Sequence, residues 1–252
     1  MRLTLRSTAA ALFIACIAAV PAHAQGFTDA QRDEIGRIVK DYLIAHPEVL
    51  HDAISELEKR QTVAETEKQV AGVREHKEVL FNSTHQVTLG NPQGDVTLVE
   101  FFDYNCGYCK RALNDMLTLL KTDPKLKIVL KEFPVLGPGS KEAAEVAVAA
   151  RMQDKTGKKY LEFHQKLLGA RGPADKAHAL AAAKDAGFDM ARLEKDMASE
   201  EVKATLAESL RVAEAIGLNG TPSYVIGSDV VIGAQGYDVL KEKVAAARKQ
   251  GG

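Results

Sequence analysis

Two cysteines three positions apart, Cys106 and Cys109, are the residues of this 252-residue chain best suited to chemistry. They follow an apolar run, Val96 to Phe102, that reads as a buried strand, and they open a segment, Gly107 to Leu120, that reads as a helix. A helix N-terminus presents N–H groups without intrahelical acceptors and a partial positive charge, so it favours a thiolate over a thiol on the first cysteine. The spacing predicts a dithiol redox pair in which Cys106 attacks and Cys109 resolves the mixed disulfide. The redox group is then the Cys106–Cys109 disulfide itself, and no other cofactor is expected.

The same two sulfurs supply half of a tetrahedral zinc site, and no second close pair of Cys or His completes it, so no metal site is assigned. A soft dithiol does suit Cu(I), which keeps a sequestering role open as a different class of function. No Met-rich or His-rich tract supports a dedicated metal site, because His46, His51, His76 and His85 are scattered and read as solvated.

Residues 1 to 24 carry Arg2 and Arg6, an apolar stretch from Ala9 to Val20, and Ala22-His23-Ala24 as a small-x-small cleavage site, the pattern of a secretory signal peptide. The stretch is shorter than the roughly 20 residues a membrane span needs. A soluble mature protein starting near Gln25 and exported to the periplasm is expected. Cys16 lies inside the apolar stretch, where lipidation is the less favoured reading. The formal net charge is −1, and loss of two arginines with the signal takes it to −3, so nothing calls for nucleic acid. In an oxidising compartment two retained cysteines read as a redox pair.

After the signal, Thr28 and Gln31 form a capping box ahead of Ile35, Ile38, Val39, Tyr42 and Leu43, one face of a helix that Pro47 ends. A second helical run begins there with Val49, Leu50, Ala53, Ile54 and Leu57, then turns polar nearly all round from 58 to 80 and reads as a solvated spacer. The two apolar stripes need a partner. Self-association is the favoured reading, and packing back on the rest of the chain is the alternative. Strands at Gln86 to Leu89, Val96 to Phe102 and Leu126 to Phe133 follow, then Ala-, Leu-, Lys- and Glu-rich helices over about 140–217. A hairpin of Tyr224 to Ile226 with Val230 to Ile232 precedes a final helix from about Asp238. The domain reading is signal 1–24, helical oligomerisation segment and spacer 25–81, and an α/β domain 82–252 divided by a helical insert.

Phe101 to Lys110, reading FFDYNCGYCK, and Gly220 to Gly227, reading GTPSYVIG, stand in order on either side of that insert. Over residues 85–252 the chain resembles the DsbA-like branch of the thioredoxin superfamily. The segment YLIAHPEVL, Tyr42 to Leu50, is similar to the oligomerisation segment of ScsC-type proteins, relatives linked to suppression of copper sensitivity. The resemblance implies a thioredoxin fold with a helical insert, preceded by an N-terminal helical oligomerisation segment. It also implies a cis Pro222 beside the dithiol, with Thr221 offering its backbone to an extended substrate. Implied partners are exported cysteine-containing proteins, a membrane redox partner of DsbD/ScsB or DsbB type, and further copies of the chain as a dimer or trimer.

Gly107 and Tyr108 between the cysteines, with Thr221 before the proline, resemble DsbC-type isomerases in these two local motifs. The expected activity is therefore disulfide isomerisation, with a DsbA-type oxidase as runner-up. Glu100, six residues before Cys106, occupies the place where DsbA-like proteins carry an acid beneath the site; buried in an apolar strand, it would take the proton of Cys109 during resolution. An exposed acid at a strand end is the alternative. Lys131 is a possible partner for Glu100, and Tyr108 is expected at the surface, available to apolar substrate side chains.

Overall fold

The structure is a computed structural model and describes residues 26–251. The expected signal peptide, its expected cleavage site and Cys16 lie outside the described residues. The chain divides into two units, with the boundary between Leu57 and Glu58.

In the first unit the Thr28 hydroxyl caps α1 (Asp29–Ala45) by accepting from the Gln31 N–H at 3.3 Å, while the Gln31 side chain accepts from the Thr28 N–H at 2.9 Å. Two of the first-turn donors that a helix leaves unpaired are satisfied in this way. α1 buries none of its residues: Ile38 is 56% and Tyr42 53% exposed. The next helix, α2, spans Pro47–Glu75, with proline at the first helical position, where an N–H would have no intrahelical acceptor. Val49, Leu50, Ile54 and Leu57 on it are exposed as well.

In the second unit, α3 (Lys77–Phe81) leads to β1 (Val87–Gly90), β2 (Val96–Phe102), α4 (Gly107–Thr122) and β3 (Leu126–Glu132). Five helices form the insert: α5 (Pro138–Gln153), α6 (Lys158–Gly169), α7 (Lys176–Asp185), α8 (Met190–Met197) and α9 (Glu200–Ala215). The chain then returns to β4 (Ser223–Ile226), β5 (Asp229–Ile232) and α10 (Tyr237–Lys249). The sheet order is β1-β3-β2-β4-β5, with β2 and β3 parallel and the other neighbours antiparallel. This is the α/β fold with a helical insert that the sequence predicts.

Side chains alternate across a strand, so the central strands divide their apolar residues between two cores. Leu98 and Phe102 of β2, Ile128 and Leu130 of β3 and Tyr224 of β4 face one core with Cys109, Met116 and Phe163. Val99, Phe101, Val129, Phe133 and Val225 face the other, against Val73, Leu80, Val212 and Ile216.

That second core corrects the spacer reading. The helix is exposed from 58 to 68, but Gly72, Val73 and Leu80 are buried, so the packed α/β unit starts well before residue 82. A Cβ on Gly72 would stand 2.9 Å from the Ala215 carbonyl oxygen, which is why only glycine lets the end of α2 pass the end of α9. The polar composition around Gly72 and Val73 hides this short packed stretch in sequence.

Candidate active site

β2 is paired on both edges, and it delivers its C-terminal end to the loop Asp103–Asn105 and to Cys106, the N-cap of α4. The backbone at Cys106 is extended, the Cys109 N–H donates to the Cys106 sulfur at 3.2 Å, and the Cys106 N–H closes the loop on the Asp103 carbonyl at 3.0 Å. Sulfur thus takes the place of the capping oxygen. Both cysteines are free thiols; Cys106 keeps 4% of its surface exposed and Cys109 none. The pair is asymmetric, with one sulfur at the helix tip and the other sealed behind it.

The Thr221–Pro222 bond is cis, and the Cys106 thiol donates to the Thr221 carbonyl oxygen at 3.1 Å. Two motifs 115 residues apart in sequence therefore meet at one sulfur. Tyr108 stands at the surface, 59% exposed, with the Arg111 guanidinium 4.4 Å from its ring centroid. Among the described residues no group of three or more His, Cys, Asp or Glu side chains is placed to hold a metal ion.

Glu100 lies inside, 3% exposed, on the face shared with Leu98, Phe102 and Cys109, with Leu130 and Tyr224 as its cross-strand neighbours. Its Oε2 has no hydrogen-bond partner among the described residues. Burial, reinforced by the charge of Asp115, raises its pKa to about 8. Burial also pushes the Cys109 thiol well above the ordinary range; the Asp103 backbone N–H opposes this, while the Cys106 sulfur and Glu100 add to it.

Lys131 does not pair with Glu100. The parallel register sets Glu100 opposite Leu130, so Lys131, one residue on, points to the other face. There its ammonium, fully buried, meets Glu208 of α9 at 3.1 Å, and Glu208 also accepts from Ser83 and Gln86. Among the described residues Glu100 has no counterion.

Two groups of site residues escaped the sequence reading. Asp103 and Asn105 hold the loop before Cys106: the Asn105 side chain accepts from the Ala174 N–H at 2.7 Å and donates to the Ala174 carbonyl at 2.8 Å, fastening the loop to the insert. The Asp-x-Asn spacing was the available signal, since Asp readily accepts from the N–H two residues on. Behind them lies a buried cluster in which Tyr160 donates to Glu132 at 2.7 Å, and the Tyr104 hydroxyl lies 3.2 Å from both Tyr160 and His164. Burial lowers the His164 pKa to about 3, so its ring is neutral where it hydrogen-bonds with the Tyr104 hydroxyl. Nothing in the sequence brings residues 104, 132, 160 and 164 together.

Comparison with known proteins agrees with this geometry. Residues 97–245 match the DSBA-like thioredoxin domain, and residues 31–63 match the Copper resistance protein ScsC N-terminal domain. A thioredoxin-like oxidoreductase from Silicibacter pomeroyi DSS-3 is 43% identical, with 69% of this chain and 98% of that chain covered and a TM-score of 0.65. Proteus mirabilis ScsC in a transitional conformation is 27% identical, with 89% of this chain and 98% of that chain covered and a TM-score of 0.65. Among curated proteins, Na(+)/H(+) antiporter NhaA 1 of Salinispora arenicola is 27% identical over 160 residues, which are 63% of this chain and 24% of that protein. The chain thus spans about a quarter of the length of the curated relatives it matches. A strand-delivered CxxC at a helix tip, a carbonyl of the Thr221–cis-Pro222 pair at the first sulfur and a matching family model over more than half of the chain place it in the DsbA-like thioredoxin family, with a ScsC-type N-terminal domain ahead of the catalytic fold.

Proposed function

We infer that this protein is a periplasmic thiol:disulfide interchange protein, with disulfide isomerisation of exported proteins as its main activity. The observation that carries the exchange chemistry is the asymmetry of the dithiol: Cys106 caps α4 and reaches the Thr221 carbonyl, while Cys109 is sealed behind it. Cys106 attacks a client disulfide as thiolate, Thr221 and Pro222 line the approach of the extended client, and Tyr108 offers an exposed ring to its side chains. Cys109 then gives its proton to Glu100 and displaces the client sulfur.

Isomerisation is favoured over simple oxidation by Gly107, Tyr108 and Thr221 around the sulfurs and by the apolar stripes of α1 and α2. These stripes suit a homo-oligomer, trimer or dimer, in which several active sites recapture a released client. A signal peptide at 1–24 supports export, and no helix among the described residues is long and apolar enough to cross a membrane. Turnover requires a membrane redox partner of DsbD/ScsB or DsbB type.

The test is reactivation of scrambled ribonuclease by the mature chain, from Gln25, and by a truncation from Glu58, which keeps the packed end of α2. Activity that depends on residues 25–57 supports a multi-subunit isomerase. Absence of isomerase activity in both, with thiol oxidation intact, overturns it in favour of the oxidase. A second reading, Cu(I) sequestration by the reduced dithiol, draws on the copper-resistance description of the matched N-terminal domain. Titration with Cu(I) against a competing chelator tests it, and a non-stoichiometric signal removes it.

A further inference from the structure

The helix that carries the dithiol opens with charge of the wrong sign for its macrodipole. The first turn of α4 holds no acid, and Lys110 and Arg111 follow Cys109 directly, where the helix N-terminus already supplies positive charge. Both cations are held by groups beside the dithiol. The Lys110 ammonium donates to the carbonyl oxygens of Ala170 at 3.1 Å and Gly172 at 3.2 Å, while the Arg111 guanidinium lies 4.4 Å from the ring centroid of Tyr108, the residue before Cys109.

The Lys110 bonds fasten a loop of the insert to the site. The two carbonyls flank Arg171, and two residues beyond Gly172 the backbone of Ala174 is bonded through its N–H and its carbonyl to the Asn105 side chain, at 2.7 and 2.8 Å. Asn105 precedes Cys106 and Lys110 follows Cys109, so the loop is tied to both ends of the CxxC segment. Arg171 on this loop is exposed, and so is Arg111.

Among the described residues Lys110, Arg111 and Arg171 form no ion pair. The carboxylates of the neighbouring segments are engaged elsewhere: Asp103, buried, accepts from the Asn105, Val135 and Leu136 N–H groups and the Ser140 hydroxyl. Glu142 accepts from the Lys176 N–H at 3.2 Å, and Asp175 meets His178 at 2.7 Å. Asp115, one turn beyond Arg111, makes no ion pair with it. The chain carries a formal net charge of −1, so these three cations set up a local field opposite in sign to that of the whole molecule.

We propose that this cationic face selects client segments with acidic residues flanking the reacting cysteine, Arg111 braced on Tyr108 and Arg171 on the fastened loop meeting the client's carboxylates as Cys106 attacks. The proposal deepens the exchange reading given above and rests on it. A guanidinium offers a planar fork of donors to a carboxylate, and the 59% exposed ring of Tyr108 beneath it offers apolar surface at the same place. Net charge alone would favour a basic client, so a preference for acidic ones requires the local field.

The test uses three cysteine peptides of equal length, flanked by Glu, Gln or Lys, each joined to thionitrobenzoate as a mixed disulfide and mixed with the reduced mature protein. The Cys106 thiolate bonds to the peptide sulfur, the bond from that sulfur to thionitrobenzoate breaks, and the coloured thionitrobenzoate leaves as a thiolate with the electron pair. Its appearance gives the second-order rate. At about 10 mM salt, where charges act over about 30 Å, the Glu peptide reacts about tenfold faster than the Lys peptide; at about 1 M salt, where they act over about 3 Å, the two agree within about twofold.

The double variant Arg111→Gln with Arg171→Gln loses about threefold or more of the low-salt preference. Dividing each rate by that of the Gln peptide removes any change the substitutions make in the Cys106 thiolate, because such a change acts on all three peptides alike. Equal rates for the Glu and Lys peptides with wild type at low salt, or a preference that survives intact in the folded double variant, overturns the proposal. If none of the peptides reacts with the wild type while its two thiols are free, the exchange reading fails, and the proposal with it.

Discussion

The thiol of Cys106 donates to the carbonyl oxygen of Thr221 at 3.1 Å, and because the acceptor belongs to the backbone, changing the side chain at 221 leaves the contact in place. Thr221→Val therefore separates two roles. The variant is expected to keep the first attack, since the carbonyl and the Cys109 N–H still meet the sulfur, while the ratio of isomerase to oxidase rate falls with loss of the hydroxyl. Parallel assays on scrambled and on reduced ribonuclease read this ratio. An unchanged ratio with an unchanged redox potential would remove the Thr221 side chain from the account of specificity.

Glu100 makes stability fall with pH. Its folded pKa is about 8 against an ordinary 4.5, so between those values the folded chain binds more protons at this site than the unfolded chain does. The stability present below pH 4.5 is lost progressively as pH rises through about 8. Glu100→Gln cannot ionise; its advantage over wild type in urea unfolding should grow across this window and level off above it. The same substitution should slow resolution by Cys109. A constant difference between the two proteins from pH 5 to pH 8.5, about the span of the shift, would contradict the buried ionisation.

His164 acts in the opposite direction. Its folded pKa of about 3 lies below the ordinary 6.5, because burial disfavours the imidazolium, so stability is present above pH 6.5 and is lost as pH falls toward 3. His164→Gln should be less stable than wild type at pH 7, where the neutral ring is hydrogen-bonded with Tyr104, and that gap should narrow as pH falls from 6.5. Urea unfolding at pH 7 and pH 5 measures it; a gap that stays the same at both would place the charging of His164 outside the acid response.

How much of this was legible in sequence follows from the range of each interaction. Val96 to Phe102, the N-cap at Cys106 and the helices of the insert were readable because apolar periodicity and capping are local. The burial of Glu100 was readable from the apolar residues that flank it. Its expected pairing with Lys131 failed on register: a parallel partner at 130 turns residue 131 away, and register is a property of two strands. The packed end of α2 was hidden because two residues, Gly72 and Val73, make contacts that composition averages away. Asp103 was hidden because its acceptor role depends on donors more than 30 residues distant, at 135, 136 and 140.

Lys131 and Glu208 form a buried ion pair whose value lies in mutual compensation. The ammonium is fully enclosed, its pKa lowered by burial and supported by Glu208. Glu208→Ala leaves that charge without its partner and removes the acceptor for Ser83 and Gln86, so a loss of about 3–5 kcal/mol is expected in chemical denaturation. Lys131→Met, which fills the site with apolar volume, should cost far less when combined with Glu208→Gln than Glu208→Ala does alone. Because the pair lies on the face away from Cys109, the rate of mixed-disulfide formation per folded molecule should not change.

The apolar stripe of α1 yields the prediction that bears most directly on isomerisation. Ile38 and Tyr42 lie one turn apart, both more than half exposed, on a helix that buries none of its residues. Exposed apolar residues repeated along one face carry a free-energy cost that a second copy removes by covering them. Paired Ile38→Ser and Tyr42→Ser substitutions leave the Thr28 capping box and every contact around the cysteines untouched, so the helix and the dithiol should persist. Analytical ultracentrifugation should then find the variant monomeric at concentrations where the wild type is a trimer or dimer. Reactivation of scrambled ribonuclease should drop toward that of the truncation from Glu58, while oxidation of a reduced peptide continues. A variant that stays oligomeric would move the self-association surface off this stripe, and a monomer with full isomerase activity would detach isomerisation from assembly.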